Sequence, residues 1–97
     1  MQILSGIRVL DLTNVLSGPF CTLHLAMLGA EVIKIENPKG GDLARKLGNS
    51  KELSKQLMGT SFLAQNANKK SITLNLKEEK AKEIFRKLVE VSDVVVE

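Results

Sequence analysis

Apolar and polar residues along this chain fall into blocks that switch between the period of a strand and the period of a helix. Ile7 to Leu12 is apolar at most positions, Thr13 and Asn14 break it, and Gly18-Pro19 sets a proline where a first helical turn accepts one. A strand feeding directly into a helix is the first half of a βαβ unit. In open α/β sheets such elbows, at the carboxyl ends of strands, are where ligands sit. Pro19 to Leu28 is apolar nearly all round, with Thr22 and His24 its polar side chains, which predicts a helix buried on most faces. Gly29 supplies the stop. Ala30 to Glu36 alternates as a second strand, parallel to the first through a right-handed crossover.

Asn37-Pro38-Lys39-Gly40-Gly41-Asp42 is a breaker cluster, and the polar stretch that runs on to Ser50 is long for an ordinary connection. Lys51 to Met58 carries Leu53 and Leu57 four apart, a short helix that Gly59 interrupts, and Thr60 to Asn66 predicts another turn or two. Ser71 to Leu76 alternates strictly and is read as a third strand. The cleanest periodicity follows: Ala81, Ile84, Phe85, Leu88 and Val89 repeat at helical spacing. Glu78 and Glu79 suit that helix's amino terminus, and Glu78 with Lys82 and Glu83 with Lys87 are favourably oriented pairs worth about 0.2–0.5 kcal/mol each. Asp93 to Glu97 is a fourth strand whose middle is all valine.

The pattern β-α-β-loop-α-β-α-β predicts an α/β fold, a Rossmann-like parallel sheet with flanking helices and strand order 3-2-1-4. A run of valines belongs in a parallel sheet covered on both faces. Residues 1–97 are therefore expected to be one Rossmann-like unit at the amino-terminal end of a longer protein.

Composition changes this picture little. Forty-three per cent hydrophobic and 26% charged residues describe a globular chain, and with three phenylalanines the only aromatics, the core must be built of Leu, Ile, Val and Ala. No apolar run is long enough to span a membrane, and the first residues lack the basic and apolar segments of a signal peptide. A lone cysteine, Cys21, forms no internal disulfide. These features together predict a cytoplasmic protein. The net charge of +3 is uneven, with seven basic residues against Asp42 and Glu52 between Asn37 and Lys70. That excess suits either a solvated surface or a phosphate-bearing small molecule. It does not suit nucleic acid, since no aromatic residue is interleaved to stack on bases.

Familiar phosphate motifs are absent: no G-x-G-x-x-G follows a strand, and there is no P-loop. One histidine and one cysteine make no zinc set, so no metal is expected. Cys21 and His24 have the spacing of a nucleophile pair but lie on a helix read as packing. Asp11 could act as acid or base, or be a strand-end carboxylate satisfied by backbone N–H groups. The elbow from Thr13 to Gly18 offers backbone N–H groups that hold an anion or a carbonyl oxygen, or else are capped by Asn14 or Ser17. Composition and spacing leave both readings open.

The residues also resemble a known family, the class III (CaiB/BaiF-like) coenzyme A transferases, which includes formyl-CoA transferase, carnitine CoA-transferase and the α-methylacyl-CoA racemases. The blocks that carry the resemblance are G-I-R-V-L-D-L-T at 6–13, S-G-P-F-C-T at 17–22, L-G-A-E-V-I-K-I-E at 28–36, G-G-D at 40–42 with Arg45, N-x-N-K-K-S-I at 66–72, L-x-L-K at 74–77 and S-D-V-V-V-E at 92–97. In that family an aspartate carboxylate attacks an acyl-CoA thioester, and CoA passes through an aspartyl-CoA thioester to a second carboxylic acid. The resemblance places that aspartate beyond position 97, matches neither Asp11 nor Asp42 to it, and leaves this chain with no catalytic residue and inactive alone.

What the resemblance does carry over is binding. Val15, Leu16 and Ser17 would line the thioester end of CoA, with Leu16 standing where formyl-CoA transferase has glutamine. Leu74 and Lys77, at the end of the third strand, would hold the adenine and 3′-phosphate end. Asn37 occupies the position of an arginine common in the family. The partners implied are an acyl-CoA and a carboxylic acid, with neither membrane nor nucleic acid, and the full-length protein would be an interlocked homodimer. Two other readings stand beside this one: an acyl-CoA racemase or epimerase of the same family, and a CoA- or nucleotide-binding module without catalysis.

Overall fold

The computed structural model describes residues 2–97 as a four-stranded parallel sheet with helices along it. Arg8–Asp11 (β1) leads through the elbow into Ser17–Met27 (α1), and Glu31–Glu36 (β2) returns beside β1. A 3₁₀ turn, Leu43–Lys46, and two short helices, Lys51–Lys55 (α2) and Thr60–Gln65 (α3), fill the long connection to Lys69–Thr73 (β3). Glu79–Glu90 (α4) then carries the chain over to Val94–Val96 (β4). The spatial order is β3-β2-β1-β4, as the pattern predicts.

Local chemistry sets the boundaries. Asp42 opens the 3₁₀ turn by accepting the Ala44 N–H, and Ser50 does the same for α2 through the Leu53 N–H. Gly59 lets α3 press against that turn: a Cβ there would meet the carbonyl oxygen of Leu47 at 2.3 Å. Arg45 lies over the Phe62 ring at 3.8 Å and completes the contact. The apolar core is small, with Val9, Ala26, Ala30 and Val32 at its centre and Leu4, Ile7, Leu25 and Val96 around it.

Three expectations need correction. The third strand occupies Lys69–Thr73 and not Ser71–Leu76. Asn68, at φ +61°, turns Lys69 and Lys70 into the sheet, and Asn75 ends it by accepting the Lys77 N–H on its side chain and the Glu78 N–H on its carbonyl. Helix α1 is not buried on most faces: Pro19, Thr22 and Ala26 are covered, whereas Phe20 and Met27 are 48% and 61% exposed. The Cα body measures 39 × 37 × 17 Å, too thin to cover both sides of that helix. β4 is the edge strand that the predicted order implies, with Val94 and Val95 exposed. Finally, Lys82 pairs with Glu79 at 3.3 Å, three residues back, where Glu78 was expected.

Candidate functional site

The carboxyl ends of the strands are built on buried charge. Lys34, near the end of β2, is 1% exposed, and its ammonium lies 2.9 Å from Asp42 Oδ2 and donates to the Thr13 carbonyl at 2.8 Å. The approach to Oδ2 is an ion contact and not an aligned hydrogen bond. The other oxygen of Asp42 accepts the backbone N–H groups of Val15 and Ala44 at 3.0 and 2.9 Å. Burial pushes the Asp42 carboxyl up, and the Ala44 N–H, Lys34 and the Val15 N–H together hold it below the usual aspartate range.

Two further pairs flank this one. Asp11, at the end of β1, accepts from the Thr13 N–H, the Thr13 and Thr22 hydroxyls and the Lys69 ammonium. Burial raises its carboxyl, and those donors outweigh it. Burial also lowers Lys69, and Asp11 offsets only part of that. Glu36, at the end of β2, takes a forked pair of 2.7 Å bonds from Arg45 and accepts the Ser71 hydroxyl and, at 2.9 Å, the Asp42 N–H. Desolvation pushes it up, and the Arg45, Ser71 and Asp42 donors bring it down to about 2. Isolated buried ions cost several kcal/mol each, so such a layer survives only with every charge partnered. Here the partners come from three separate segments, and they bring those segments together at the strand ends.

Above this layer stands the elbow. Val15 adopts φ +70°, a left-handed conformation rare for a β-branched residue. Leu16 is the N-cap of α1, and no side chain caps the helix, so of the two readings left open for the elbow, capping by Asn14 or Ser17 does not occur. Cys21 is exposed and the His24 ring lies against Phe20, with centroids 4.4 Å apart. No hydrogen bond joins Cys21 to His24 among the described residues, and the nucleophile-pair reading loses its geometry.

Several cavities open at this end of the sheet, one of about 210 Å³ around Glu36, Asn37, Gly41 and Ser71 and two larger ones beside it. The first of the larger two, about 240 Å³, lies over the strand ends and is lined by Leu12, Asn14, Ile35, Asn37, Leu74, Asn75, Leu76 and Lys77. An adjoining hollow of about 140 Å³ adds Pro38 and Lys39 to Asn37, Asn75 and Lys77. The second cavity, about 340 Å³, is lined by Val15, Leu16, Leu47, Thr60, Ser61, Ala64 and Gln65. Of the residues singled out from sequence, Asn37, Leu74 and Lys77 thus share one groove, Val15 and Leu16 share another, and Ser17 lines neither. Asn75, Lys39 and Leu47 were missed. The Asx turn that ends β3 is the local signal that would have pointed to Asn75.

A cavity of about 300 Å³ at the opposite end of the strands is lined by Arg8, Glu31 and Asp93 among others. Its charges are already committed to one another, since Arg8 binds Glu31 through its side chain and Asp93 through its backbone N–H. Three of the basic residues of the central stretch are likewise paired with carboxylates: Arg45 with Glu36, Lys69 with Asp11 and Lys70 with Glu31. No helix is long and apolar enough to cross a membrane, and no three His, Cys, Asp or Glu side chains converge as metal ligands, both among the described residues.

The parallel sheet with helices along it defines an α/β unit, with grooves open at its carboxyl edge. The chain belongs to CoA-transferase family III, which it matches over residues 4–97. It is 46% identical over 97 residues to the succinyl-CoA:glutarate CoA-transferase of Mus musculus, covering all of this chain and 22% of the mouse protein. It is 47% identical over 94 residues to the formyl-CoA:oxalate CoA-transferase of Rhodopseudomonas palustris, covering 97% of this chain and 21% of that one. In three dimensions it matches the hypothetical protein Rv3272 from Mycobacterium tuberculosis with a TM-score of 0.85 at 41% identity, over 98% of this chain and 25% of the other. The chain spans between a fifth and a quarter of the length of these relatives.

Proposed function

We propose that this chain is the CoA-ester-binding, amino-terminal part of a class III CoA-transferase, one that moves coenzyme A from an acyl-CoA to a carboxylic acid. The observation that carries the reading is the meeting of Asn37, Leu74 and Lys77 in one groove at the strand ends, beside the cavity of Val15 and Leu16. In this reading the Lys77 ammonium and the amides of Asn37 and Asn75 take the adenine and 3′-phosphate end of CoA. Leu12, Ile35 and Leu74 supply apolar surface for its base. Val15, Leu16 and Ser17 stand at the thioester end.

The transfer itself needs an aspartate carboxylate that attacks the thioester carbon and expels the CoA thiolate, leaving a mixed anhydride; the thiolate then attacks the aspartyl carbonyl of that anhydride, releasing the donor acid as its carboxylate and giving an aspartyl-CoA thioester, from which the acceptor acid takes CoA. Asp11 and Asp42 are unsuited to it. Each is fully buried and committed to an ammonium and to backbone or hydroxyl donors. In this reading the family resemblance puts the nucleophile outside these 97 residues, and the chain by itself binds without turnover. In the same reading the complete enzyme is an interlocked, cytoplasmic homodimer that uses no metal.

Titrating the chain with CoA while following its amide resonances tests the binding claim. Shifts should gather at Asn37, Leu74, Asn75 and Lys77. Shifts confined to Arg8, Glu31 and Asp93 at the other end of the sheet would refute it. For the complete enzyme, uptake of α-deuterium from heavy water by a 2-methylacyl-CoA without an acceptor acid would favour a racemase instead.

A further inference from the structure

The elbow between β1 and α1 is gripped from beneath at three points. The Asp11 carboxylate accepts the Thr13 N–H, Lys34 donates to the Thr13 carbonyl, and Asp42 Oδ1 accepts the Val15 N–H. Since Lys34 and Asp42 are themselves an ion pair, the last two grips form one device. What they hold is unfavourable on its own, because Val15 sits at φ +70°. Such a conformation persists where its surroundings over-determine it, and it concentrates at ligand clamps.

The same oxygen of Asp42 does a second thing. It accepts the Ala44 N–H at 2.9 Å and so starts the 3₁₀ turn that brings Leu47 to the cavity. Val15 and Leu16 line that cavity of about 340 Å³ from the elbow, and Leu47 lines it from the end of the 3₁₀ turn. One buried oxygen therefore ties together the two segments that carry Val15–Leu16 and Leu47.

We infer that Asp42 is a positioning residue for the acyl end of the substrate: its Oδ1 fixes the spacing between the Val15–Leu16 segment and the Leu47 segment, and with it the acyl group that fits between them. This rests on the reading that the cavity lies at the thioester of a bound CoA ester. Asp42 acts through Val15 and Ala44 and touches no substrate itself. The adenine end, held over the first groove, is outside its influence.

Two double variants separate positioning from mere stability. Lys34→Met with Asp42→Asn removes both charges and keeps an oxygen that accepts from Val15 and Ala44. Lys34→Met with Asp42→Ala removes both charges and the acceptor. Equilibrium dissociation constants are measured for acetyl-CoA and for CoA. The alanine pair should lose about fivefold or more in acetyl-CoA affinity and stay within about twofold for CoA, and the asparagine pair should restore the acetyl-CoA value. Equal losses for both ligands in the alanine pair, or identical behaviour of the two pairs, would overturn the inference. If the unaltered chain binds neither ligand, the CoA reading fails and this inference falls with it; if it binds CoA and the ratio does not move, this inference alone fails. Should the alanine pair not fold, the unaltered chain decides. Acetyl-CoA should move the Val15 and Ala44 amide resonances along one saturation curve that CoA does not produce, and movement of neither or of only one overturns the proposal.

Discussion

Replacing Lys34 by methionine is the sharpest perturbation of the buried layer, because methionine keeps most of the aliphatic stem and removes only the charge and its donors. In the native chain the ammonium is 1% exposed, 2.9 Å from Asp42 Oδ2 and 2.8 Å from the Thr13 carbonyl. After the change Asp42 keeps two backbone N–H donors but has lost its buried counter-charge, and the Thr13 carbonyl has lost its donor. Removing one partner of a buried pair costs about 3–5 kcal/mol. A chain of this size has roughly 5–15 kcal/mol in total, so the loss is between about a fifth and all of it. At about 4–8 °C per kcal/mol, Tm should fall by about 12 °C or more. The chain contains no Trp or Tyr, so urea unfolding is followed by far-ultraviolet circular dichroism and not by fluorescence. Adding Asp42→Asn should return about 2 kcal/mol, because the orphaned carboxylate is then neutral. A cost below about 1 kcal/mol for Lys34→Met, or a double variant no more stable than the single one, would refute the reasoning.

Other consequences follow from the same contacts. Glu36 titrates at about 2 in the folded chain against 4.5 as a free side chain, so its contribution is complete above pH 4.5 and is lost as pH falls from there towards 2. The loss is on the order of 3 kcal/mol, and Glu36→Gln should make urea midpoints between pH 6 and pH 3 less pH-dependent; an unchanged dependence would contradict the assignment. Gly59→Ala should cost about 2 kcal/mol or more, because its Cβ would meet three carbonyl oxygens at 2.3–2.7 Å. Gly6→Ala meets no atom within 4 Å but carries φ +88°, and its cost should be only about 1 kcal/mol. Thermal melts that rank the two glycines in the reverse order would show the close approach at Gly59 to be unimportant.

The sheet and its order were visible in the sequence because β1 and β2 are bounded by turn residues and α4 repeats at helical spacing. The buried layer was not visible. Lys34 and Glu36 look like ordinary polar positions of an alternating strand, and their partners Asp42 and Arg45 lie eight and nine residues further on, in a stretch read as loop. Nothing in a local pattern tells a charged strand residue that meets water from one that meets a counter-charge across a turn. The misplacement of β3 has the same origin: two adjacent lysines break the apolar alternation of a strand, yet Lys69 is a strand residue whose side chain is covered and bound to Asp11. The exposed valines of β4 and the bare face of α1 have another cause, since periodicity records that a face is apolar and not what covers it. For the site, the resemblance singled out Asn37, Leu74 and Lys77 without their geometry, and the end of β3 supplied it by turning Asn75 and Lys77 back over the groove.

The central claim is that the groove at the strand ends takes the phosphorylated end of coenzyme A through Lys77. Calorimetric titration with CoA and with 3′-dephospho-CoA tests it most directly, on the unaltered chain and on Lys77→Ala. An ionic hydrogen bond at an exposed lysine is worth about 1 kcal/mol, or roughly fivefold in affinity. The unaltered chain should therefore prefer CoA about fivefold, and Lys77→Ala should bind the two ligands equally. Equal binding of both ligands by the unaltered chain, or an undiminished preference in Lys77→Ala, would contradict it.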